Sequence, residues 1–247
     1  MNITWSDNKA YAYTRELDAS QWAWEFLRRN AEYQSDWHWF NEVWQALEAE
    51  YGSPPNRDMA QWKKDKRAWR SEAELHGCDK TGCEKRGDDL LIECWMGSKW
   101  GFYKFPLDPD LDAVAAKDKL TWRQVETSVQ LVDKEDAADI ENDLNVALLF
   151  DLTLPLKTQL DEAKRFLVAS QRTLKKSGRL DIYSIKGSHE RWLKGLQLLD
   201  ARTAGISDSE IARSLFNGDE FALIELAMEA EGYVAGGYLQ ILLIPEK

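Results

Sequence analysis

The amino-acid sequence predicts an α+β protein that is mainly α-helical, and three observations lead to this fold class. Apolar residues repeat at helical spacing through most of the first 52 residues. Short apolar runs of strand length lie between residues 90 and 152. The segment 189–232 divides into three amphipathic helices separated by turn residues. We therefore expect a tryptophan-rich helical N-terminal domain over residues 1–88. Residues 89–247 are expected to form a small antiparallel β region, a helix-turn-helix-like unit and a short terminal strand.

Two helices with clear start and stop signals open the N-terminal domain. Asp18 and Gln21 have the spacing of a capping box, in which each side chain satisfies a free backbone amide of the other residue. The helix that follows carries its apolar residues at Trp22, Ala23, Phe26 and Leu27. Glu25 is expected to pair with Arg29 one turn later. The second helix has an apolar face at Trp37, Phe40, Trp44 and Leu47, and the glycine- and proline-containing segment 52–56 ends it.

Basic and aromatic residues are mixed between residues 57 and 70. The run contains Lys63, Lys64, Lys66, Arg67 and Arg70 together with Trp62 and Trp69. Such a mixture could hold a nucleic-acid backbone, because cations bind phosphates and rings stack on bases. More often it is a solvated helix face beside a core. Both interpretations remain open, and the second is favoured.

The loop-like segment 73–89 contains residue types that can bind zinc. His76, Cys78 and Cys83 lie in it, and Cys94 follows a little later. A zinc site needs four such ligands in defined pairs, and this spacing does not match one. We therefore expect free thiols, no metal and no cofactor. The low, odd number of 3 cysteines also indicates a reducing compartment without disulfides.

Four short apolar runs predict the strands of the β region. They cover residues 90–96, 99–105, 125–132 and 146–152. Gly97-Ser98 would join the first two as a hairpin. From residue 155 onward the helical pattern returns, with Leu156, Leu160, Ala163, Phe166 and Leu167 on one side of a helix that ends near Leu174.

The stretch from Trp192 to Met228 is the most informative part of the chain. Its first helix repeats apolar residues at Trp192, Leu196, Leu199 and Thr203, and Gly205 ends it. Ser207 lies three residues before Glu210, which is the spacing of a capping box for the second helix. The buried face of that helix is expected at Ile211, Ala212 and Leu215, and a third helix begins near Asp219 after Asn217-Gly218. Three helices of this size fit a helix-turn-helix unit, although an ordinary helical hairpin in a core fits equally well.

Charge placement favours DNA contact in one region only. The net charge of −11 excludes a generally basic nucleic-acid binder. Residues 157–202 nevertheless contain 11 Lys or Arg against 5 Asp or Glu, a local charge of +6. The candidate phosphate-binding cations are Lys175, Lys176, Arg179, Arg191, Lys194, Arg202 and Arg213, and the hydroxyls of Ser207 and Ser209 could donate at the start of the second helix. The third helix carries Glu220, Glu225, Glu229 and Glu231, which phosphates would repel.

Catalytic and targeting signals are missing from the sequence. The histidines His38, His76 and His189 lie in no recognisable triad setting. There is no nucleophile elbow, P-loop or dinucleotide fingerprint, so we expect a protein that is not an enzyme. The N-terminus has neither a basic start nor an apolar run, and no segment reaches the length of a membrane span. These features predict a soluble cytoplasmic protein that does not bind membranes.

Several residue blocks, spread in order along the chain, form a recognisable pattern. The first block is the run from Trp22 to Asn30, followed by Tyr33. The middle of the chain adds Trp100-Gly101-Phe102, Phe105-Pro106, Asp108-Pro109, the run 151–156 and Gln159-Leu160. The last blocks are 199–202, Gly205, Ser207, Glu210-Ile211-Ala212, Leu215-Phe216, Gly236-Gly237-Tyr238 and Leu242-Leu243.

These blocks resemble a proteobacterial family of transcriptional-regulator-like proteins that carry a C-terminal domain formerly of unknown function. The resemblance implies a sequence-specific DNA-binding transcription regulator, an activator of secretion-system or related bacterial genes. Within the family, the chain is similar in length and character to a hexameric activator of type VI secretion genes. The implied partners are double-stranded promoter DNA, further copies of the chain in a homo-oligomer or hexamer, and RNA polymerase or another regulator. Tryptophans such as Trp5 or Trp24 could serve subunit contacts, although burial in the core is the more common fate of such rings.

One departure from the family leaves a second interpretation open. Family members tend to carry arginines on the helix that follows Leu215-Phe216, where this chain has glutamates. The alternative is a protein-binding adaptor or anti-activator, in which the helix-turn-helix is only a scaffold. A zinc protein is the third and weakest alternative.

Overall fold

The computed structural model describes residues 5–75, 84–103, 105–123, 125, 145–179 and 184–244. In these residues it confirms an α+β fold that is mainly α. The helices are α1 (Ala19–Leu27), α2 (Ala31–Tyr51), α3 (Met59–Trp62), α4 (Ile92–Trp100), α5 (Ala113–Ala116), α6 (Leu156–Lys176), α7 (Ile185–Thr203), α8 (Asp208–Leu215), α9 (Glu220–Gly232) and α10 (Tyr238–Ile241). Short 3₁₀ turns cover Ala12–Glu16, Lys66–Ala68, Glu72–Glu74 and Lys117–Lys119, and a π-helical stretch covers Tyr233–Gly237. The strands are β1 (Trp69–Ser71), β2 (Lys85–Arg86) and β3 (Asp89–Leu91).

The chain folds into two compact units. One contains Met1–Val125 together with Ile185–Lys247, and the other contains Glu126–Ser184. The boundary predicted between residues 88 and 89 does not coincide with this division. The reason is local, because β2 and β3 lie on either side of that point and pair with each other as neighbouring antiparallel strands.

Helix α1 lies at the centre of the larger unit. Its predicted capping box is confirmed, with the Gln21 amide donating to Asp18 and the Asp18 amide donating to the Gln21 side chain. The predicted apolar face is buried, but so is the rest of the helix apart from Ser20, which is half-buried. Trp24 lies off that face, yet it has no exposed surface, and its Nε1 donates to the Leu111 carbonyl at 2.9 Å. Its suggested role in subunit contacts is therefore wrong, and the alternative of core burial is confirmed.

Helix α2 begins after Asn30 and ends where the sequence predicts. The Asn30 side chain accepts a hydrogen bond from the Tyr33 amide at 2.9 Å and caps the start. At the other end Gly52 has φ +83, a conformation that glycine adopts without steric cost, and its amide donates to the Glu48 carbonyl. Of the predicted face, Phe40 and Leu47 are buried, whereas Trp37 and Trp44 are half-buried against the same core.

Several cations between residues 57 and 70 are engaged within the protein. The Arg57 guanidinium lies 4.6 Å from the Trp44 ring and 4.3 Å from the Trp62 ring. Arg70 packs in the same way on Trp39 and Trp95, at 4.3 and 3.8 Å. Arg67 pairs with Glu50 and Asp65, and Lys63 with Glu84. Because these contacts occupy the cations with rings and carboxylates, they favour a structural role for this run over a grip on nucleic acid.

The β region is smaller than the sequence predicts. The three strands form an antiparallel sheet in the order β1-β3-β2, with Trp69 opposite Leu91 and Arg86 opposite Asp89. Residues 90 and 91 belong to β3, but α4 begins at Ile92, so the predicted strand over 90–96 is mostly wrong. Gly97-Ser98 lies inside α4, and the predicted hairpin is therefore also wrong. The cause is that residues 92–97 are all buried, so this short helix has no polar face to reveal a helical period.

The other strand predictions have different outcomes. Among the described residues of the run 99–105, only Phe102 forms a β-bridge, an isolated one to Trp122. Residues 146–152 form no strand, and Leu149 and Leu152 are 87% and 83% exposed. Most of 125–132 lies outside the described residues, as do His76, Cys78 and Cys83. Cys94 is buried in α4, and the described residues contain no cluster of groups suited to a metal ion.

The end of the chain is helical up to residue 241, so the predicted terminal strand is wrong in the described residues. Helix α10 packs against α1 instead, and Tyr238 and Ile241 join the main core. The Tyr238 hydroxyl donates to the Trp100 carbonyl at 3.1 Å. An apolar terminal run that buries one helical face looks much like a buried strand in sequence, which explains the error.

Candidate nucleic-acid interface

Helices α7, α8 and α9 form the three-helix unit that the sequence predicts. The chain turns just after α7 at Gly205, which has φ +76. The Ile206 amide donates a hydrogen bond to the Ala201 carbonyl at 3.0 Å. These bonds satisfy carbonyls at the end of the helix, as a glycine C-terminal motif does. The Ser207 hydroxyl then accepts a hydrogen bond from the Glu210 amide at 3.4 Å and caps α8, which confirms the Ser207 half of the predicted capping box. The first turn of the unit is therefore set by the residues that predicted it.

The second turn also follows the sequence. Asn217 and Gly218 have φ values of 55 and 87, in the left-handed region that these two residue types tolerate best. The Gly218 amide donates to the Ala212 carbonyl at 2.9 Å. Asp219 accepts from the Ala222 amide at 3.1 Å and caps α9.

A small core of its own holds the three helices together. It consists of Leu198, Ala201, Ile211, Ala212, Leu223 and Ala227, with Trp5, Ile206, Leu215 and Phe216 packed around it. Helix α7 is buried on a second side as well, where Trp192 and Leu196 join the main core around α1. The predicted apolar face of α7 is the one that faces the main core, except that Thr203 is exposed. The side that packs on α8 and α9 has no counterpart in the predicted pattern.

Asp200 of α7 joins the three-helix unit to Arg29, which lies in the turn just after α1. Both of its carboxylate oxygens accept hydrogen bonds from the Arg29 guanidinium, at 2.7 and 2.8 Å. The Tyr11 hydroxyl donates to the same carboxylate at 2.7 Å. Two parallel charge-assisted bonds fix the orientation of the helix as well as its distance. Arg29 and Asp200 are 171 residues apart, so their spacing in the sequence could not reveal the pair. The one available signal was that both residues lie in blocks that resemble the regulator-like family.

Glu25 is the buried charge at the centre of this connection. Its carboxylate accepts hydrogen bonds from Arg28 at 2.9 Å, Arg29 at 2.5 Å and the Tyr13 hydroxyl at 2.9 Å. The backbone amide of Ala113 adds a fourth, at 2.8 Å. The predicted Glu25–Arg29 pair is therefore confirmed, but it is part of a buried network and not an isolated surface pair.

The network lowers the pKa of both carboxyls. Burial alone would raise the pKa of Glu25, but the charges of Arg29 and Arg28 and their hydrogen bonds hold it below its usual value. Burial opposes ionisation of Asp200 too, and the hydrogen bond and charge of Arg29 again lower its pKa. Burial and the charge of Glu25 raise the pKa of Tyr13 to about 12, so this phenol stays protonated and remains a donor.

Acidification is expected to destabilise the fold through these two groups. Their pKa values are lower in the folded than in the unfolded chain, so their contribution is complete above the unfolded values of about 4.3 for Glu and 3.9 for Asp. It is lost as the pH falls through the folded values. Urea unfolding at a series of pH values between 7 and 3 measures the effect. Below pH 4 the free energy of unfolding of Asp200→Asn should fall less steeply with decreasing pH than that of the wild type. If the free energies of the two proteins fall in parallel, this assignment is contradicted.

Two of the candidate phosphate-binding arginines are held by carboxylates of the same unit. Arg191 pairs with Glu225 at 3.0 Å and with Glu229. Arg202 bonds Asp208 at 2.9 and 3.0 Å and also pairs with Glu231. Hydrogen bonding to Asp208, together with the charges of Asp208 and Glu231, raises the pKa of Arg202 above its usual value. Either arginine would have to exchange its acidic partners before it could bind phosphate.

The remaining candidates on this unit are more accessible. Lys194 and Arg213 are exposed and form no ion pair within the described residues, and the Lys194 ammonium lies 5.7 Å from the Phe216 ring. Ser207 and Ser209 are exposed at the start of α8, but Asp208 and Glu210 stand beside them. An anion at the first turn of α8 would therefore find hydroxyl and amide donors, but also two negative charges beside them.

The other candidate cations lie in the second compact unit. Lys175 and Lys176 form the last turn of α6, and Arg179 follows it, with all three side chains exposed. Helix α6 itself is confirmed, with bounds close to those predicted. Its apolar face is not buried in the structure, however, since Leu156, Leu160 and Phe166 are 49%, 57% and 54% exposed.

Helix α9 has an exposed apolar face that the sequence analysis missed. Its buried residues are Leu223, Leu226, Ala227 and Ala230. On the opposite side Phe221, Ile224 and Met228 are 87%, 53% and 70% exposed, at the spacing of three and four residues that aligns side chains along a helix. The nearly unbroken run of apolar residues in α9 contained this signal. The glutamates of α9 account for only part of the chemistry of this surface.

Together these elements define a helix-turn-helix-type unit that is built into a tryptophan-rich helical core. A family model for a proteobacterial transcriptional regulator-like domain matches residues 4–70. The matched stretch includes α1 and the Arg29 side chain that holds Asp200 of the three-helix unit. This similarity suggests a transcription regulator, and it favours that class over an enzyme. Comparison with curated proteins and with solved structures gave no match.

Within the parts of the chain that the structure describes, we find no helix with the length and hydropathy of a membrane span.

Proposed function

We propose that this protein is a transcription regulator that binds promoter DNA sequence-specifically as a homo-oligomer. The observation that carries the proposal is a three-helix unit with helix-turn-helix turns in a chain whose residues 4–70 match a transcriptional regulator-like domain. An activator role at secretion-system or related genes, and contact with RNA polymerase or another regulator, follow from the family resemblance and belong to the same proposal. DNA would be bound through exposed cations and not through α9.

Charge placement supports this choice of surface. Helix α9 carries four glutamates and no Lys or Arg, so the groups that usually bind base edges and phosphates are missing from it. Lys194 and Arg213 lie exposed on α7 and α8. Lys175, Lys176 and Arg179 would add phosphate contacts at the end of α6. Several copies acting together would strengthen such a limited set of contacts through multivalency.

A gel-shift experiment on the promoters next to the protein's own gene tests the proposal. The wild type is expected to retard specific fragments better than random DNA, and binding should weaken steeply as salt increases. Lys194→Ala/Arg213→Ala should weaken binding at every promoter and reduce the slope of log K against log salt by about 2, because each lost phosphate contact reduces it by about 1.

The matched control is Lys64→Ala/Lys66→Ala. This double variant removes the same total charge, from two exposed lysines in the run of residues 57–70. If it binds DNA like the wild type, these two lysines do not contribute to DNA binding. If specific fragments are retarded no better than random DNA at moderate salt, the proposed DNA binding is lost. If both double variants behave like the wild type on a promoter that does shift, the contact surface lies elsewhere.

The second candidate function is a protein-binding adaptor or anti-activator. One observation favours it, namely that α9 presents Phe221, Ile224 and Met228 together with acidic side chains, a surface suited to protein and not to DNA. A chain that shifts no promoter but is retained by a partner protein through this face would support the second function over the first.

A further inference from the structure

A cleft lies between the 3₁₀ turn Ala12–Glu16 and the N-terminal part of helix α7. The residues that line it all belong to the larger compact unit, and its volume is about 710 Å³. Small-molecule sites in proteins have volumes of about 300–1,000 Å³. The cleft is therefore large enough for a multi-ring organic compound.

The floor of the cleft is apolar. Trp22 has no exposed surface, Leu17 is 5% exposed, and Leu193 is half-buried. The Trp22 ring meets the His189 ring edge to face, with 5.7 Å between the ring centroids and 84° between the ring planes. Aromatic and aliphatic walls of this kind bind the apolar body of a ligand, and they give an inorganic ion no comparable contact.

Two residues of the lining have a polar atom without a hydrogen-bond partner within the described residues. One atom is the buried indole Nε1 of Trp22, which can only donate. The other is Nδ1 of His189. The Thr14 hydroxyl donates its proton to the Tyr11 carbonyl at 2.8 Å, so its contact with His189 Nε2 at 3.3 Å requires the imidazole proton. The neutral ring then keeps its lone pair at Nδ1, where an N–H or O–H of a ligand could donate.

The exposed edge of the cleft carries more positive than negative charge. Arg15 and Lys186 are exposed there and form no ion pair within the described residues, and Glu190 is the one acidic residue among the described residues of the lining. With His189 neutral the lining has a charge of +1, in a chain of −11. The first turn of α7 is part of the wall, so the positive end of the helix dipole lies here as well. Both features favour an anionic group on the ligand.

We propose that this cleft binds a small organic anion with an apolar, ring-containing body. The rings would lie against Trp22 and Leu193, and the anionic group would lie near Arg15 and Lys186. Inorganic phosphate lacks the apolar body and a neutral hydrocarbon lacks the charge, so neither uses the whole site.

The cleft borders the helix that carries the three-helix unit. Ile185 and Leu193 of α7 line it, and so does Tyr11, whose hydroxyl donates to Asp200 of the same helix at 2.7 Å. A bound ligand would therefore touch α7 directly, together with one of the residues that hold this helix in place. Ligand binding here requires no DNA and goes beyond the proposed function.

Two dyes that share their rings and differ in charge test the site. Anilinonaphthalene sulfonate is an organic anion whose fluorescence rises in apolar surroundings, and N-phenylnaphthylamine has the same rings without the sulfonate. Titrations of the full chain should show saturable binding of the anionic dye, with one dye per chain. Arg15→Ala/Lys186→Ala should weaken this dye by about tenfold and the neutral dye by less than about twofold, because two charge contacts are lost. Equal weakening of the two dyes overturns the proposed preference for an anion.

The matched control is again Lys64→Ala/Lys66→Ala, which removes the same total charge from lysines outside the lining. It should bind both dyes like the wild type, and an equal loss in this control overturns the proposal. Ala12→Trp places a large ring at an exposed position of the lining. This variant should lose both dyes while its circular dichroism stays that of the wild type, and full retention of the dyes overturns the proposed location.

The acceptor at His189 has its own test. His189→Phe keeps an aromatic ring beside Trp22 and removes Nδ1. Both dyes carry the same N–H, so both should bind about fivefold more weakly, the effect of about one hydrogen bond. Unchanged affinity of both dyes overturns this role of His189.

Other modes of dye binding give different results. Loss of the anionic dye in Phe221→Ser/Met228→Ser would place it on the exposed face of α9 and overturn the proposal. Displacement of the dye by inorganic phosphate as readily as by naphthalene sulfonate would indicate a simple anion site and also overturn it, as would a wild type without saturable binding. The promoter gel shift is run without dye. A chain that binds the dye but shifts no promoter keeps this site and loses the proposed DNA binding, and the reverse result overturns this site alone.

Discussion

Glu25→Ala is expected to lower the free energy of unfolding by about 3–5 kcal/mol, the range found when one partner of a buried ion pair is removed. The substitution deletes a carboxylate with no exposed surface and leaves Arg28 and Arg29 with less compensation in the core. It also removes the acceptors used by the Tyr13 hydroxyl and the Ala113 amide. Urea denaturation, followed by far-ultraviolet circular dichroism at pH 7, measures the change.

Glu50→Ala is the matched control. Glu50 also pairs with an arginine, Arg67, but their side chains are 53% and 45% exposed. Water and salt screen such pairs, so the control should lose far less stability than Glu25→Ala. Equal losses in the two variants would contradict the central role of the Glu25 network. Glu25→Gln should fall between them, because the amide keeps a hydrogen-bonding oxygen but removes the charge.

The sequence predicted those parts of the fold that local chemistry determines. The caps at Asp18 and Asp219 and the turn at Asn217-Gly218 lie where their residues indicate. In each case the interaction joins residues at most a few positions apart, so spacing alone contains the information. The boundaries of the helices in the helix-turn-helix unit could be predicted for the same reason, because local caps and turns mark the ends of these helices.

Long-range packing accounts for what the sequence did not reveal. Helix α4 was predicted as a strand because its buried residues 92–97 lack a polar face. Helix α7 was expected to bury one side, but it buries one side against α1 and another against α8 and α9. Neither fact can be read from periodicity, because both depend on what the neighbouring elements cover.

The candidate interface shows the same limit for charge. Arg191 and Arg202 were selected as phosphate contacts because they lie in a locally basic segment, and the three-helix unit then placed them against Glu229 and Glu231. Glu225 and Glu229 are evident in the sequence as acidic residues of the third helix, but not as the partners of Arg191. Sequence charge thus gives the composition of a surface, whereas folding decides which charges remain available to a partner.

Trp192→Ala is expected to lower the free energy of unfolding by about 3–5 kcal/mol, because it empties a large site in the main core. The Trp192 ring lies 5.2 Å from the Trp22 ring and 6.0 Å from the Tyr233 ring, and it is 1% exposed. It anchors α7, which also forms one wall of the three-helix core. We therefore expect tryptophan fluorescence and circular dichroism to report a single cooperative transition in the variant, as in the wild type.

Trp192→Phe separates packing from polar effects at this site. The indole Nε1 is buried without a hydrogen-bond partner in the described residues, so phenylalanine loses ring volume but no hydrogen bond. The expected loss is about 1–2 kcal/mol, clearly smaller than for alanine. If Trp192→Phe lost as much stability as Trp192→Ala, the indole nitrogen would have to contribute. Two separate unfolding transitions in Trp192→Ala would show that the three-helix unit folds on its own. A single transition would mean that α7 couples the three-helix unit to the N-terminal core. The two cores that α7 contacts would then unfold as one cooperative structure.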